Sequence, residues 1–366
     1  MEIFDKPWRL VQNRIRGAGG REIDRFRGVY PPIDDETGSE AWIGSVTRVG
    51  GPPADKPDYG CSETILPDGR GMFLYEAIAL SPEKTLGLKH MKINGDGLGM
   101  LVKYLDAKEK YWLQCHPSRE WAKKMWNSPY GKEECWYCIG VREDTESGEP
   151  PYILLGFKEG VTIDDWKKYY YVSDIGSLEN LCHKIYIKPG EAYFVGAGCP
   201  HALGEGCFVV EVQEPSDLTL SAMQYSEIVK HWRGVSNLTE DFYNERLLGA
   251  YCYEGLSYED NLLKRKAARK TIRSGGWGAE ETVIGADHTT FFSLTEAFVN
   301  SETEIRGTGF PQIAVVLDGR GEIKTGDYSI EIKKADEIFL PYGLGAKISG
   351  ENLRIVYCHP EGAMNY

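Results

Sequence analysis

The chain has 366 residues, of which 42% are hydrophobic and 12% aromatic. That is enough for two domains with a large core, and it excludes intrinsic disorder as the main state. Lys plus Arg number 42 against 55 Asp plus Glu, a formal net charge of -13, which speaks against nucleic acid as a partner while leaving room for a locally basic pocket that takes a small anion. The opening MEIFDKPWRL carries charges where a secretory signal needs an apolar run, and no stretch approaches the roughly 20 apolar residues of a membrane helix. A soluble, cytoplasmic protein without a membrane partner is expected, its oligomeric state left open.

Gly at 42, Pro at 18 and Tyr at 22 suit short strands joined by tight turns. In chain order, strand-like runs fall at MFLYEAIAL (72–80), MLVKYLDA (100–107) and YWLQCH (111–116). A short helix follows at SREWAKKMWNSPYG (118–131), where Trp121, Met125 and Trp126 keep helical spacing up to a Pro-Tyr-Gly breaker. Further strands are expected at YILLGF (152–157), HKIYIKPGEAYFV (183–195) and CFVVEVQE (207–214). Residues 225–273 have helical periodicity with Gly interruptions, and their basic end, Lys264 to Arg273, is read as a solvated helix face.

An internal repeat is visible. KKADEIFLPYGLGAKI near the C-terminus parallels IKPGEAYFVGAGCPHAL, but Lys347 stands roughly where the first copy has His201, so the second copy reads as scaffold. The nine cysteines are scattered through apolar segments and read as buried thiols of a reducing compartment. Cys135 and Cys138 have CxxC spacing, but no second CxxC completes a four-thiolate site, and the pair reads as structural.

Gln114 and His116 are two apart, so on a strand both project from one face. Glu134 follows after a helix and turn, and His201 is delivered by a Gly-rich loop. Two imidazoles, a carboxylate and an amide oxygen form a divalent-metal set, with zinc favoured by the nitrogen ligands, other divalent metals allowed, and a position open for water or substrate. His90, His183, His231, His288 and His359 have no ligand-spaced partner and read as ordinary polar residues.

The stretches GSEAWIG, LVKYLDAKEKYWLQCHPSREWAKK, SPYGKEECWY and KPGEAYFVGAGCPHALGEGCFVVEVQEPSD, in this order and spacing, resemble the type I mannose-6-phosphate isomerases, zinc-dependent bicupin sugar-phosphate isomerases. The resemblance covers more than half of the chain. It implies Gln114, His116, Glu134 and His201 as zinc ligands, and Lys132 and Glu211 in the sugar site as the catalytic candidates. Moving a proton between C1 and C2 of a sugar through an enediol needs a base, an acid and a countercharge for the oxyanion. Lys132 shares the face of Glu134, and Glu211 is a carboxylate on an otherwise apolar strand. Ser118 and Arg119, with help from Lys103 or Lys188, are candidates for holding an anionic substrate end.

The sequence departs from that family at SDLTLSAMQY: Ser221 falls where the resemblance implies an arginine that assists the proton transfer. A hydroxyl does not replace a permanent cation, so Ser221 is counted among the substrate-binding positions and Lys230 and Arg233 are candidates to supply the charge. The expected architecture is mainly β, with two cupin (jelly-roll) barrels: residues 1–224 carrying the metal site, a helical insertion over 225–275, and a C-terminal cupin without a metal over 276–366. The expected function is isomerisation of mannose 6-phosphate to fructose 6-phosphate. The alternatives are isomerisation of a different or unphosphorylated sugar, and a catalytically silent sugar-binding cupin.

Overall fold

The computed structural model describes residues 2–231 and 238–363. The chain is mainly β, in two cupin units. In the N-terminal unit a five-stranded sheet runs in the order Ala192–Val195, Glu134–Val141, Cys207–Gln213, Leu101–Asp106, Glu40–Ile43. A second sheet is ordered Leu220–Ser221, Gln114–Cys115, His201–Leu203, Tyr152–Lys158, Gly255–Leu256, with Cys182–Tyr186 also paired to Tyr152–Lys158.

Side-chain alternation sorts the residues of each strand between two cores. In Cys207–Gln213, Val209 faces the barrel interior with Leu105, Trp136 and Leu203, while Val210 and Val212 face the opposite way. There they join Tyr104, Tyr137, Ile313, Phe339 and Val356 in a core shared with the C-terminal unit. The outer face of the second sheet is covered by helices, with Leu154 and Phe157 packed beside Trp166, Tyr170 and Leu247. Cys135 and Cys138 show the same alternation: three apart on one strand, they lie in different cores and form no thiol pair.

The C-terminal sheet has eleven strands, and its own interior is aliphatic, built from residues such as Val316, Ile338 and Ile355. Lys347, which the sequence repeat sets roughly opposite His201, is more than half exposed and paired with Glu302. The N-terminal segment crosses over to this sheet: Trp8 pairs with Phe339 and Arg9 with Ile338. Among the described residues after 224 the helices are Tyr225–His231, Glu240–Ala250 and Tyr258–Arg265. Lys270–Gly275, read from sequence as the end of the helical stretch, is already an edge strand of the C-terminal sheet.

One apolar run was expected in the wrong state. Within 72–80 only the first residues are strand, and Leu74–Ala79 is a helix burying Leu74, Ala77 and Ile78. Spacing of three and four residues is the helical signature, and a short apolar run does not by periodicity alone exclude a strand. Among the described residues no helix is long and apolar enough to cross a membrane.

Candidate metal centre and its cavity

His201 opens a three-residue strand whose register sets it opposite Gln114 on one side and Leu155 on the other. The GAGCP loop before it is stitched to the other histidine: Gly198 donates its N–H to the His116 carbonyl at 2.8 Å, and its own carbonyl accepts from Cys252 N at 2.9 Å. Gly198 has φ of +72°, and a Cβ there would meet the Ala250 carbonyl oxygen and Cys252 N at 2.7 Å, so the loop takes glycine only. Gly131 does similar work for the next stretch. A Cβ there would strike the Pro117 carbonyl at 2.6 Å, and the close approach lets Lys132 N donate to that carbonyl at 3.1 Å, beside His116.

The two imidazoles are oriented by the backbone. His116 Nδ1 donates to the Leu218 carbonyl and His201 Nδ1 to the Cys199 carbonyl, both at 2.9 Å. A carbonyl only accepts, so both Nε2 atoms are left as lone pairs. They face each other at 3.1 Å. Glu134 Oε2 is 3.1 Å from His116 Nε2, and Oε1 is 3.5 Å from His201 Nε2. One ligand atom from each of His116, Glu134 and His201 lies within 4.8 Å of the others, and all three side chains are fully buried.

Burial pushes the His116 imidazole down to about 3, with the nearby Lys132 charge adding to it, and burial lowers His201 as well. Both rings are therefore neutral at physiological pH. Burial alone would raise the Glu134 carboxyl, but the Lys132 charge beside it outweighs that and holds it well below the usual range. Neither Glu134 oxygen accepts a well-formed hydrogen bond among the described residues, although Lys132 Nζ is 3.1 Å away. Two lone pairs and a buried carboxylate converging on one point, with Lys132 Nζ as the neighbouring donor, are a group that could hold a cation. Gln114 Nε2 stands 3.3 Å from His201 Nε2, and exchange of its amide oxygen and nitrogen would present a fourth acceptor. These residues suit a divalent ion bound by nitrogen and oxygen.

The centre adjoins a cavity of about 340 Å³ whose lining includes Gln114, Lys132, Glu211 and Ser221. Lys132 Nζ is 2.9 Å from His116 Nε2. Glu211 Oε2 accepts from Trp136 Nε1 at 3.0 Å, and Oε1 lies 3.1 Å from Lys103 Nζ. Burial, followed by the Glu134 charge, raises the Glu211 carboxyl above its ordinary value. Lys103, Glu211 and Trp136 are consecutive in register across three strands, which puts them on one face of the sheet. Sequence reading named Lys103 only as a helper for an anion. A lone lysine inside an apolar strand was the available signal for its place beside Glu211.

Of the anion candidates, Lys103 lines the cavity, while Ser118, Arg119 and Lys188 fall elsewhere. The Ser118 hydroxyl accepts from Trp121 N at 3.2 Å and caps the helix Arg119–Trp126. Arg119 is bound to Glu214, lies 2.8 Å from Glu361, and stacks 3.7 Å over the Phe291 ring. Neither lines the cavity. Lys188 is exposed in a turn, and Lys230 is exposed and pairs with Glu227. Arg233 lies outside the described residues, as does the side chain of His231. His90 and His183 bond to backbone carbonyls, and His359 meets the Thr295 hydroxyl at 3.1 Å.

Sequence reading missed Arg16, Glu40, Trp112 and Asp217. Arg16 donates to both oxygens of Asp217, at 2.8 and 2.7 Å, and to Glu40 at 2.9 Å. Burial would raise the Asp217 carboxyl, but the Arg16 hydrogen bonds and charge win and depress it strongly. A depressed carboxyl contributes stability that is complete above its unfolded value of about 3.9 and lost as pH falls toward the folded one. Asp217→Asn is expected to cost about 2–3 kcal/mol at pH 7, near the lower end for breaking a buried pair. Melting temperature followed from pH 7 down through pH 3 checks this, because the variant lacks that component of the acid-induced fall.

Two cupin units, the N-terminal one carrying a His, Glu, His cluster beside a cavity, define a bicupin with a candidate metal centre in its N-terminal barrel. No family model matches the chain. Its relatives include mannose-6-phosphate isomerase ManA of Bacillus subtilis, 24% identical over 258 residues, or 69% of this chain and 72% of that one. The probable mannose-6-phosphate isomerase GmuF of the same organism is 35% identical over 132 residues, 36% of this chain and 39% of that one. The crystal structure of the Bacillus subtilis mannose 6-phosphate isomerase superposes with a TM-score of 0.72 at 23% identity, covering 96% of this chain and 99% of that one. A mannose 6-phosphate isomerase bound with zinc and yttrium matches with a TM-score of 0.69 at 16% identity, covering 97% and 99%. The chain is thus similar in sequence to proteins named mannose-6-phosphate isomerase and shares the fold of that enzyme's solved structures.

Proposed function

We propose that this protein is a metal-dependent aldose-ketose isomerase of a sugar phosphate, interconverting mannose 6-phosphate and fructose 6-phosphate. The observation that carries the reading is the convergence of His116, Glu134 and His201 beside a cavity that also holds a buried carboxylate of raised pKa. Gln114, His116, Glu134 and His201 would hold the ion, with zinc favoured by the two imidazoles. When bound, it supplies Lewis-acid stabilisation of negative charge on substrate oxygen.

The residues of the chain divide the remaining work. Glu211 takes the proton from C2 of the aldose and returns it at C1, a role supported by a carboxyl that combines burial with access to the cavity. Lys103, 3.1 Å from it, and the Trp136 indole hold that carboxyl in one orientation. Lys132 presents an ammonium to the sugar oxygens from beside the ligands. Leu105 and Leu203 close the apolar side of the cavity and limit water around the enediol.

A second reading, an isomerase of another or an unphosphorylated sugar, is favoured by the position of Ser118 and Arg119 outside the cavity and by the pairing of Arg16, Lys103, Lys110 and Lys132 with carboxylates. The third reading is a silent sugar binder. Incubation of the zinc-loaded protein with fructose 6-phosphate in D₂O, followed by proton NMR, tests all three. Deuterium at C1 or C2 is the expected result. Binding without exchange would leave the silent binder, and exchange with fructose but not with its phosphate would establish the second reading.

A further inference from the structure

Ser221 leaves its part of the cavity wall without charge, yet an arginine from the other end of the chain lines the same cavity. Arg16 shares that lining with Thr219 and Ser221. It is anchored there by Asp217, which precedes Ser221 by four residues in the segment joining Cys207–Gln213 to Leu220–Ser221. The second anchor, Glu40, lies 3.8 Å from Lys103, and Lys103 reaches Glu211 at 3.1 Å. Arg16 thus stands at one end of a chain of alternating charges whose other end is the carboxylate assigned to proton transfer.

A guanidinium has five N–H donors. Three of those on Arg16 go to Asp217 and Glu40, the other two have no hydrogen-bond partner among the described residues, and the side chain, which lines the cavity, remains 26% exposed. The other cavity cations are less suited. Lys103 is only 3% exposed between two carboxylates, and Lys132 is turned toward His116 and Glu134. Lys110 is a flexible ammonium paired with Glu179 at the rim. Arg16 alone among them combines a permanent charge with a rigid planar mount.

We infer that Arg16 is a substrate-binding residue of this cavity, its guanidinium held by Asp217 so that it donates to sugar oxygens from the wall that Ser221 leaves uncharged. This assignment rests on the isomerase reading. The test uses the zinc-loaded full chain and calorimetric binding of fructose 6-phosphate, with fructose in parallel. Arg16→Ala should weaken binding by about tenfold or more, as for a lost charge-assisted hydrogen bond, while zinc content and the circular dichroism spectrum are kept. Arg16→Lys should recover part of the loss. In the Arg16→Ala background, Ser221→Arg should bring binding back toward the parent value, and millimolar guanidinium should partly restore exchange. A larger loss for the phosphate than for fructose would locate the contact on the phosphate, and equal losses would locate it on the hydroxyls.

Binding unchanged in Arg16→Ala, with only the melting temperature lowered, would overturn the assignment and leave Arg16 as a tie for the N-terminal segment. If the alanine variant does not fold, full-strength binding by the uncharged Arg16→Gln overturns it equally. A parent protein that neither binds nor exchanges either sugar would instead bring down the isomerase reading, and this inference with it. The two failures are therefore told apart by the parent protein.

Discussion

His201→Ala is expected to release the divalent ion and to lower turnover by about 10³-fold or more, equivalent to about 4 kcal/mol of transition-state stabilisation. His201 is the informative ligand to remove. Glu134→Ala would leave the Lys132 ammonium buried without its carboxylate and destabilise the barrel for reasons unrelated to metal. His201→Ala deletes a neutral ring whose hydrogen-bonding neighbours among the described residues are the Cys199 carbonyl and the other members of the cluster. Its circular dichroism spectrum should match the parent's. The parent's melting temperature should fall on chelation, because an ion bound only by the folded state adds stability by mass action. In the variant the chelator should have no effect. Full metal content in the variant, read by elemental analysis, would remove the four-residue ligand set from consideration.

The second large effect is expected at Glu211. Glu211→Gln should reduce kcat by about 10²- to 10⁴-fold, the range for a positioned proton-transfer group, with KM nearly unchanged and zinc retained. The amide oxygen still accepts from Trp136 Nε1, so the local packing survives while the exchangeable proton is lost. Because burial and Glu134 raise the Glu211 carboxyl, a base that must be ionised gives the parent an acid limb displaced upward from the ordinary carboxylate range of about 4.3. That limb should be absent from the residual activity of the variant. A parent-like kcat would show that Glu211 only balances Lys103.

How much of this site could be read in advance follows from how its parts are spaced in the chain. Gln114 and His116 lie at and just after the short strand Gln114–Cys115, Lys132 and Glu134 lie just before and at the start of the strand Glu134–Val141, and His201 follows a glycine-rich loop and opens the strand His201–Leu203. Each fragment is locally determined, so its residue types and spacing announce it. Ser118 and Arg119 sit beside His116 in sequence, yet the helix they begin turns them away from the cavity, one to cap it and the other to bind Glu214 and stack on Phe291. The run at 72–80 was ambiguous for a different reason: six apolar-rich residues fit either period, and packing of Leu74, Ala77 and Ile78 into the shared core decided for helix.

From sequence alone came the β-rich architecture, the repeat that lacks a histidine at Lys347, and the chemical identity of the residues that meet at the candidate centre. These depend on short-range patterns of alternation and turn residues, which operate within a strand or a loop. Tertiary structure decided the charge neighbourhood of the cavity: Arg16 against Asp217, 201 positions away, Lys103 against Glu211 across paired strands, and the N-terminal strand laid on the C-terminal sheet. Those contacts are set by which strands pair and which faces are buried, and a Coulombic partner brought in from so far along the chain leaves no local trace in the order of residues.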